Sequence, residues 1–362
     1  MQRDVLIATG GTGGHVFPAQ ALAEELNARG CSVHFMGAQL STNPYFDRSR
    51  WSYQDVDSAT ISLRDFLKAP KSIQKLMQGV RQAKNEIKKR TPGVIVGFGS
   101  YHSLPPLIAG SYLKIPIVLH EANSFPGKVT RLMAPFAHLV GVHFPEAIVK
   151  LNCFGKKRAL EIPLPKKARS NRREEAFAYF GFSADHSTLL IFGGSQGAEK
   201  INEAIPHLLK GKIKGYQVLH FIGYQTQAKS LDDFYREEGA KALIKPFEPR
   251  MDLAWEIAEL YIGRSGANSV AEMVDYAVPG LLIPYPQAAD NHQDENARSV
   301  AERLKGAIIL PQKELLSHNA HESFDALLAA KERFHQNLLK EKGRQLLSLC
   351  EHLINIMDIS KE

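Results

Sequence analysis

Residues 5–15 read VLIATGGTGGH, and a helical pattern of apolar residues follows them as far as Leu26. Four consecutive apolar residues predict a short strand that is buried on both faces. The glycines allow a tight turn, and the free N–H groups at the start of the next helix favour a bound anion. The stretch therefore predicts a strand, a phosphate-binding turn and a helix, with a tight turn that binds nothing as the alternative.

This glycine turn differs from two familiar nucleotide sites. No Gly-Lys-Ser/Thr follows it, as a P-loop requires. It also lacks the GxGxxG spacing and the ribose-binding acidic residue of a dinucleotide site. The sequence therefore argues against a nicotinamide-dependent oxidoreductase, and no cofactor is predicted.

The same pattern recurs along the chain. Short apolar runs alternate with helical stretches at residues 33–36, 94–96, 117–119 and 139–142. This alternation predicts a parallel sheet with helices on both faces, because both surfaces of each strand are apolar.

The pattern begins again after a basic, proline-containing stretch at residues 156–173. Residues 189–192 form an apolar run, and a second glycine turn follows at 193–197. We predict an α/β fold of two Rossmann-like, doubly wound domains whose glycine turns face a central cleft. The predicted domains are residues 1–163, joined by a C-terminal helix at about 335–362, and residues 164–334.

Length and charge exclude several classes of protein. A chain of 362 residues is too long for one core. Residues 64–90 hold nine basic and two acidic side chains and residues 156–173 hold eight and one, so each stretch carries +7, and the rest of the chain carries −7, which leaves a net charge of +7. Local basic regions of this kind argue against a uniformly basic nucleic-acid-binding protein, so no nucleic acid partner is predicted.

The spacing of the cysteines and the hydropathy of the chain are those expected of a cytoplasmic protein. Cys31, Cys153 and Cys350 are far apart, as expected of unpaired thiols in a reducing environment. The N-terminus lacks the apolar core of a signal peptide, and no apolar run approaches the about 20 residues that span a bilayer. We expect a cytoplasmic protein.

A third motif, RSGANSVAE at 264–272, also follows an apolar run and begins a helix. Glu272 lies about two turns into that helix, where its carboxylate can accept two hydrogen bonds from a ribose diol. A place on the solvated face of the helix is the alternative for Glu272. In the second glycine turn, the hydroxyl of Ser195 either donates to a phosphate oxygen or caps the helix.

Six motifs in this order resemble those of the MurG family, whose members add N-acetylglucosamine to the lipid-linked muramyl-pentapeptide of peptidoglycan synthesis. They are GGTGGHVFP at 10–18, GFGSY at 97–101, HEAN at 120–123, GGSQGA at 193–198, RSGANSVAE at 264–272 and DNHQ at 290–293. The resemblance implies a GT-B fold, UDP-N-acetylglucosamine as donor and an undecaprenyl-linked muramyl-peptide as acceptor. It also implies a peripheral enzyme on the inner face of the cell membrane, with other enzymes of cell-wall synthesis as partners.

The resemblance assigns residues to two binding sites. Glu272 is expected at the uridine ribose and Phe247 near the uracil. The donor residues are Thr12, Gly13, Gly14, His15, Asn123, Ser195, Gln196, Phe247, Ala267, Asn268, Ser269, Glu272, His292 and Gln293. The acceptor residues are Gly10, Gly11, Gly97, Gly99, Ser100 and Tyr101.

The sequence departs from the family pattern in three places. Family members have Gly-Asn-Pro-Val-Arg at the end of the first domain, where residues 161–165 here read EIPLP. Lys166 or Lys167 supplies a point charge in place of that arginine, without its guanidinium fork. Ser100 replaces a glycine, and His102 replaces a small or apolar residue. These changes concern donor affinity and acceptor binding more than the class of reaction.

Inverting sugar transfer needs a base for the acceptor hydroxyl, and histidine titrates near neutrality. His15 is our candidate, and a hydrogen bond from His15 to a phosphate or to the donor is the equal alternative. His120 and Glu121 are weaker candidates, and Tyr101 is expected to position the acceptor. A metal signature of the Asp-x-Asp type occurs at residues 55–57, far from any glycine turn, so no metal site is predicted.

Residues 64–90 place apolar side chains at helical spacing between flanking cations. Such a helix either packs into a domain or lies on an anionic membrane, where each basic residue near the surface contributes about 1 kcal/mol. A lipid-linked acceptor favours the membrane. The predicted membrane contacts are Leu67, Lys68, Lys71, Ile73, Lys75, Leu76, Met77 and Val80.

Two alternative functions stay open at this stage. Another GT-B enzyme that uses UDP-N-acetylglucosamine, with a different acceptor or with 2-epimerase activity, would share the motifs of the second domain. It would not share the pair of motifs at 10–15 and 97–101. A non-catalytic adaptor that binds through the basic stretches is the second alternative.

Overall fold

The computed structural model describes residues 3–59, 69–163, 172–194, 198–224 and 228–359. The chain divides into two compact units. Unit 1 is Met1–Ala168 with Leu346–Glu362, and unit 2 is Arg169–Gln345. The segment that rejoins the first unit therefore begins at 346 and not at the predicted 335.

Unit 1 is built on a sheet of seven parallel strands. Their order in the sheet, 3-2-1-4-5-6-7 in chain numbering, reverses between the first and fourth strands, which is the doubly wound arrangement. The strands are β1 (Asp4–Ala8), β2 (Ser32–Gly37), β3 (Tyr53–Asp55), β4 (Val94–Gly97), β5 (Ile117–Glu121), β6 (Leu139–Val142) and β7 (Ala159–Glu161). The helices that precede unit 2 are α1 (Gly13–Ala28), α2 (Ala69–Arg90), α3 (Leu104–Tyr112), α4 (Lys128–Met133), α5 (Glu146–Val149) and α6 (Cys153–Lys156).

Alternate residues of the central strands enter two separate cores. Val5 and Ile7 of β1 pack on the side of α1, whereas Leu6 and Ala8 pack on the side of α2 to α5. All four side chains are buried. A continuous apolar run is therefore what this strand needs, because helices cover both of its faces.

Unit 2 repeats the design with six parallel strands in the order 10-9-8-11-12-13. The strands are β8 (Thr188–Phe192), β9 (Gln217–Phe221), β10 (Lys241–Lys245), β11 (Leu260–Gly263), β12 (Gly280–Leu282) and β13 (Ala307–Ile309). The helices are α7 (Arg173–Phe180), α8 (Glu199–Leu209), α9 (Lys229–Glu237), α10 (Met251–Ile257), α11 (Ala267–Asp275), α12 (His292–Arg298) and α13 (His318–Lys342). The predicted fold class, two Rossmann-like α/β domains, is confirmed. The central cleft stays a prediction.

The sequence predicts one C-terminal helix over about 335–362, but the structure has two helices in this part of the chain. The first, α13, ends at Lys342 and packs into the core of unit 2 through Phe324 and Phe334. The second, α14 (Leu349–Ile359), begins at a capping box. Oγ of Ser348 accepts a hydrogen bond from the N–H of Glu351 at 3.2 Å, and Oε2 of Glu351 accepts one from the N–H of Ser348 at 2.7 Å.

Helix α14 completes the core of unit 1. Leu349, Leu353 and Met357 are buried against the side of the sheet that carries α1. The guanidinium of Arg3 donates to both carboxylate oxygens of Asp358, with its Nη2 at 2.9 and 2.7 Å, which links the two ends of the chain. Unit 1 is therefore formed from both ends of the sequence, and unit 2 is inserted between them.

We expect Leu353→Ala to lower the free energy of unfolding of unit 1 by about 2–5 kcal/mol, since the substitution leaves a cavity in a fully buried site. Leu347→Ala is the matched control, because that side chain is 53% exposed and should change stability by less than about 0.5 kcal/mol. Urea denaturation of both variants measures the difference. Equal effects would show that α14 contributes little to the core.

Candidate functional site

The two glycine turns of unit 1 lie side by side at the carboxyl edge of its sheet. One follows β1 and the other follows β4, and the two strands are neighbours, with Ala8 paired to Gly97. The strand order reverses between them, and ligands of open parallel sheets bind at such a point. The topology thus brings together the two motifs that the sequence assigns to the acceptor.

Gly10 and Gly11 both have positive φ angles, +146° and +84°. A Cβ atom on Gly10 would lie 2.7 Å from Cβ of His102 and 3.0 Å from the carbonyl oxygen of Ala38. This part of the turn therefore requires glycine for its own conformation and packing. His102, a departure from the family pattern, packs directly over the turn, and burial lowers its pKa.

Gly13 and Gly14 begin α1 in helical conformation, so the backbone there does not require glycine. Gly14 is exposed, and a Cβ atom on it would meet only Oγ1 of Thr12, at 3.5 Å. A glycine in a helix costs roughly 0.5–1 kcal/mol relative to alanine, and no described neighbour of Gly14 explains that cost. A bare helix start suits the close approach of a ligand, which favours a phosphate site over a tight turn that binds nothing.

His15 lies in the first turn of α1, next to the glycine turn at residues 97–101. Its backbone N–H donates to the carbonyl oxygen of Thr12 at 3.0 Å. Its Cε1 is 3.9 Å from the position that a Cβ of Gly99 would take. The structure therefore places this candidate base where the two glycine turns meet.

His120, near the end of β5, is a much weaker base than an ordinary histidine. Burial, assisted by the nearby His143 and His15, lowers its pKa to about 3. Its Nε2 is buried and has no hydrogen-bond partner among the described residues. A group with so low a pKa stays neutral and accepts a proton poorly near neutral pH.

The carboxylate of Glu121 is buried and holds the loop after β5. Oε1 accepts hydrogen bonds from the backbone N–H and the side-chain amide of Asn123, at 3.0 and 3.2 Å. Oε2 accepts one from the N–H of Gly127 at 2.8 Å. This arrangement favours a role in fixing the position of Asn123 over proton transfer.

Ser100 and Tyr101 shape the turn after β4. Oγ of Ser100 accepts a hydrogen bond from the N–H of His102 at 3.2 Å, and its carbonyl oxygen accepts one from Oγ of Ser103 at 2.7 Å. Tyr101 is half-buried and packs on the core beneath the turn. Both predicted acceptor residues therefore lie at the carboxyl edge beside Gly99.

The corresponding edge of unit 2 lies between β8 and β11, which pair through Phe192 and Gly263. Ser195 and Gln196, predicted donor ligands in the turn after β8, lie outside the described residues. Helix α11 begins after Gly266, which has no side chain to cap the first N–H groups. Those N–H groups belong to the three predicted donor residues Ala267, Asn268 and Ser269.

Asn268 offers a second polar group at the start of α11. Its Oδ1 is buried and lacks a hydrogen-bond partner among the residues that the structure describes. A buried polar atom without a partner destabilises a fold by about 1–3 kcal/mol. The atom is therefore well suited to a hydrogen bond with a ligand.

Glu272, on α11, is not on a solvated helix face. Its Oε2 accepts a hydrogen bond of 2.8 Å from Nε1 of Trp255, which is on α10 and fully buried. Burial raises the pKa of Glu272 to about 7, against the opposing effect of the Trp255 hydrogen bond. Sequence reasoning did not find Trp255, because nothing in the pattern of α10 marks a contact with α11.

His292 and Gln293 begin α12 after a turn in which Asp290 has a φ of +51°. Oε1 of Gln293 accepts a hydrogen bond from the N–H of Tyr285 at 2.9 Å, and its carbonyl oxygen accepts one from Oγ of Ser265 at 2.8 Å. The motif at 290–293 is thus joined to the motif at 264–272.

Phe247 follows β10 and is 40% exposed. Its neighbour Glu248 is buried and pairs with Nζ of Lys245 at 2.8 Å, which anchors the segment. An exposed ring on an anchored segment suits stacking on a base.

The Asp-x-Asp segment has structural partners. Asp55 ends β3, and its Oδ1 accepts a hydrogen bond from the N–H of Leu40 at 2.6 Å. Asp57 accepts one from the amide of Gln82 at 2.8 Å. The described part of the chain contains no cluster of three or more histidine, cysteine or acidic side chains suited to a metal ion.

The apolar side chains of α2 that the sequence predicts to contact a membrane differ in their exposure. Ile73 and Met77 are 49% and 51% exposed. Leu76 is buried in the core beside Ala83, so the prediction that Leu76 contacts the membrane is wrong, because the helix needs that side chain to pack on the sheet. Val80 is half-buried on the same core.

The remaining residues predicted to contact the membrane are only partly described by the structure. Lys71 and Lys75 are exposed, whereas Leu67 and Lys68 lie outside the described residues. Tyr112, which the sequence did not suggest, is 71% exposed on the neighbouring α3, with Nζ of Lys84 3.9 Å from its ring centroid. None of the described helices is both long enough and apolar enough to cross a bilayer.

We expect two glycine substitutions in the first turn to have opposite effects on stability. Gly14→Ala should raise the free energy of unfolding by about 0.5–1 kcal/mol, because alanine is the better helix former, yet weaken the binding of inorganic pyrophosphate. Gly11→Ala, its matched control, should lower stability, because of the positive φ and the contact with His102. Thermal denaturation and calorimetric titration measure both properties. If Gly14→Ala binds pyrophosphate as tightly as wild type, the ligand does not bind at this helix start.

Comparison with known proteins agrees with this arrangement. A family profile described as the glycosyltransferase family 28 N-terminal domain matches residues 5–142, and the family 28 C-terminal domain matches residues 188–352. Together the two matches cover most of the chain. The first lies within unit 1, and the second covers most of unit 2 and continues a few residues into the segment that returns to unit 1.

Two curated relatives carry the name UDP-N-acetylglucosamine--N-acetylmuramyl-(pentapeptide) pyrophosphoryl-undecaprenol N-acetylglucosamine transferase. The protein of Protochlamydia amoebophila is 44% identical over 315 residues, which are 85% of this chain and 83% of the relative. The protein of Chlamydia pneumoniae is 33% identical over 317 residues, 86% of each chain.

The solved structure of Acinetobacter baumannii MurG superposes with a TM-score of 0.76 at 24% identity and covers 99% of both chains, which shows a shared fold. The family predicted from the six sequence motifs is confirmed by the identity and coverage of the curated relatives. The chain therefore belongs to the MurG family, within glycosyltransferase family 28.

Proposed function

We propose that this enzyme transfers N-acetylglucosamine from UDP-N-acetylglucosamine, with inversion, to the muramyl C4 hydroxyl of undecaprenyl-pyrophosphoryl-muramyl-pentapeptide. The strongest support is the 44% identity to the Protochlamydia amoebophila protein over 83% of its length, because that relative is named for this donor and this acceptor. The product is the disaccharide lipid precursor of peptidoglycan.

Unit 1 binds the diphosphate of the acceptor in this proposal. Its glycine turns at 10–14 and 97–101 share one edge of the sheet, and Gly14 leaves the start of α1 bare. Backbone N–H groups at a helix start bind phosphate oxygens without a metal ion. Ser100 adds a hydroxyl group, and the ring of Tyr101 positions the sugar.

Unit 2 binds UDP. The carboxylate of Glu272 accepts hydrogen bonds from the ribose hydroxyls, and the exposed ring of Phe247 stacks on the uracil. The N–H groups at the start of α11 and the side chains of Ser195 and Gln196 bind the diphosphate. His292 and Gln293 of this unit are proposed to contact the donor sugar, and the family resemblance implies further donor contacts for Thr12, Gly13, Gly14, His15 and Asn123.

Departure of UDP is the step for which the start of α11 is suited. Negative charge grows on the diphosphate as the bond to the anomeric carbon breaks. The positive end of the helix dipole and the uncapped N–H groups after Gly266 stabilise that charge. Because these groups are fixed in the fold, they need no rearrangement as the charge develops.

His15 is the proposed base. Its imidazole lies at the meeting point of the two acceptor turns, where it can take the proton of the attacking hydroxyl as the new bond forms. The pKa of about 3 makes His120 unsuitable, and the carboxylate of Glu121 is engaged by Asn123 and Gly127. The unit thus leaves His15 as the best placed of the three candidates.

A transfer assay with radiolabelled UDP-N-acetylglucosamine and a lipid-linked muramyl-pentapeptide tests this function. Wild-type enzyme should label the lipid, with or without chelator, and His15→Ala should lower kcat by about 10²- to 10⁴-fold with little change in donor KM. His138→Ala is the control, because this exposed histidine precedes β6, at the opposite edge of the sheet.

Other outcomes of this assay contradict parts of the proposal. A wild-type enzyme that converts the donor but never labels the lipid would indicate a different acceptor or a 2-epimerase. A His15→Ala variant with raised donor KM and ordinary kcat would show that His15 binds the donor and is not the base.

We also propose that unit 1 contacts the inner face of an anionic membrane, where the lipid-linked acceptor resides. Ile73 and Met77 are half-exposed apolar side chains on α2, with Lys71 and Lys75 exposed on the same helix. Tyr112 extends this surface onto α3. Exposed apolar side chains surrounded by cations are typical of surfaces that bind anionic lipid.

The same helical layer continues the surface beyond α3. Leu132, Phe136 and Phe154 are all more than half exposed on neighbouring elements. Residues 122–160 contain six basic side chains and one acidic side chain. This composition supports a broad contact with lipid.

Sedimentation with phosphatidylglycerol vesicles tests the membrane contact. The double variant Ile73→Ser, Met77→Ser should bind about tenfold more weakly than wild type, because it loses two apolar side chains that enter the interface. The control is Leu316→Ser, Leu347→Ser, whose side chains are 70% and 53% exposed elsewhere. Equal binding of both double variants would place the membrane contact on another surface, and binding unaffected by salt would exclude the basic residues.

A further inference from the structure

Among the described residues, only Trp255 forms a side-chain hydrogen bond with the carboxylate of Glu272. Its Nε1 donates to Oε2 of Glu272 at 2.8 Å. Oε1 of the same carboxylate has no hydrogen-bond partner in the described part of the chain. The two oxygens of Glu272 are therefore in different environments, one held by the protein and one not.

The indole ring itself is held rigidly. Trp255 is 1% exposed, and its ring centroid lies 5.0 Å from that of Tyr261, 5.7 Å from that of Phe192 and 6.2 Å from that of the nearly parallel Tyr276. Phe192 and Tyr261 belong to the adjacent strands β8 and β11, and Tyr276 follows α11. Close packing around a buried ring restricts its rotation, so the contacts hold the direction of the indole N–H.

We propose that Trp255 is a positioning residue that fixes the Glu272 carboxylate so that Oε1 is presented to the ribose diol of a uridine nucleotide. This inference rests on the donor site proposed above. Trp255 itself does not touch the nucleotide. Its effect passes through Glu272, whose orientation and charge decide whether a ribose hydroxyl can donate to it.

The hydrogen bond also controls the charge of Glu272. The pKa of Glu272 is raised to about 7, chiefly by burial and to a lesser degree by Asp275 and Asp252, whereas the hydrogen bond from Trp255 lowers it by stabilising the carboxylate. Asp252, on the same helix as Trp255, is paired with Arg172 and Arg250. Tyr261, on β11, has its own pKa raised by burial and stays neutral.

The sign of the pH effect follows from these contacts. Glu272 accepts hydrogen bonds from the ribose best as a carboxylate, so UDP affinity should fall as the pH drops through about 7. Loss of the Trp255 N–H removes a group that stabilises the carboxylate. The fall in affinity should then begin at a higher pH.

Trp255→Phe tests the positioning role, because it removes the N–H and keeps an aromatic ring. UDP affinity at pH 7 should fall about tenfold, as expected when a hydrogen bond to a charged group is lost. The loss should be smaller at pH 8.5, and the variant should discriminate less between UDP and 2′-deoxy-UDP than wild type. Calorimetric titration with both nucleotides at several pH values measures these effects.

Tyr235→Phe is the matched control. It removes a buried O–H that hydrogen-bonds Nδ1 of His220 at 2.9 Å, in the same unit but in the core on the other side of β8. Its thermal stability should fall while UDP affinity, its pH dependence and the deoxyribose discrimination stay those of wild type. If Trp255→Phe behaves like this control, Trp255 is only a core residue and the proposal is wrong.

A second measurement leaves Trp255 in place and needs no nucleotide. The chain has two tryptophans, so Trp51→Phe makes Trp255 the only indole fluorophore. Its emission should titrate with a midpoint near pH 7, and the added substitution Glu272→Gln should abolish the titration. A flat profile overturns the coupling of Trp255 to Glu272, whereas a normal titration in a protein that does not bind UDP overturns only the proposed donor site.

Discussion

The starts of α1 and α11 present backbone N–H groups that no residue of the same helix can satisfy. The rest of each unit holds that helix start at the carboxyl edge of a parallel sheet, beside the strand where the sheet order reverses. Side chains on neighbouring loops then surround the exposed N–H groups. Oxygen-rich, negatively charged ligands are the natural partners of such an edge, which is why the acceptor diphosphate is proposed to bind at one of these helix starts and the UDP diphosphate at the other.

The strands at the centre of each sheet are well predicted by sequence because they are buried on both faces. A continuous apolar run marks each of the strands β1, β4, β5, β6 and β8. Such a short run between glycines or polar residues predicts a buried strand. β7, at Ala159–Glu161, is an edge strand of only three residues inside a basic stretch, so hydropathy gave no signal for it. The break between α13 and α14 depends on the capping box of Ser348 and Glu351, which a hydropathy pattern does not detect.

The residues of the candidate site also differ in how well the sequence predicts them. Glycine turns and the residues after them are local features, so the sequence could mark Gly10, His15 and Glu272 as candidates. The contact between Trp255 and Glu272 could not, because it joins two helices through the packing of unit 2. Leu76 illustrates the reverse error, since helical spacing cannot tell which side of an apolar stripe meets the sheet and which meets the surroundings.

The return of the chain to unit 1 has a consequence for biosynthesis. A ribosome makes the strands of unit 1 before unit 2 and makes α14 only after all of unit 2. Until then, the apolar surface that α14 covers next to α1 lacks Leu353 and Met357. The core of unit 1 is therefore complete only once the chain has been made as far as α14, and until then the unit exposes apolar surface of the kind that makes folding intermediates prone to aggregation.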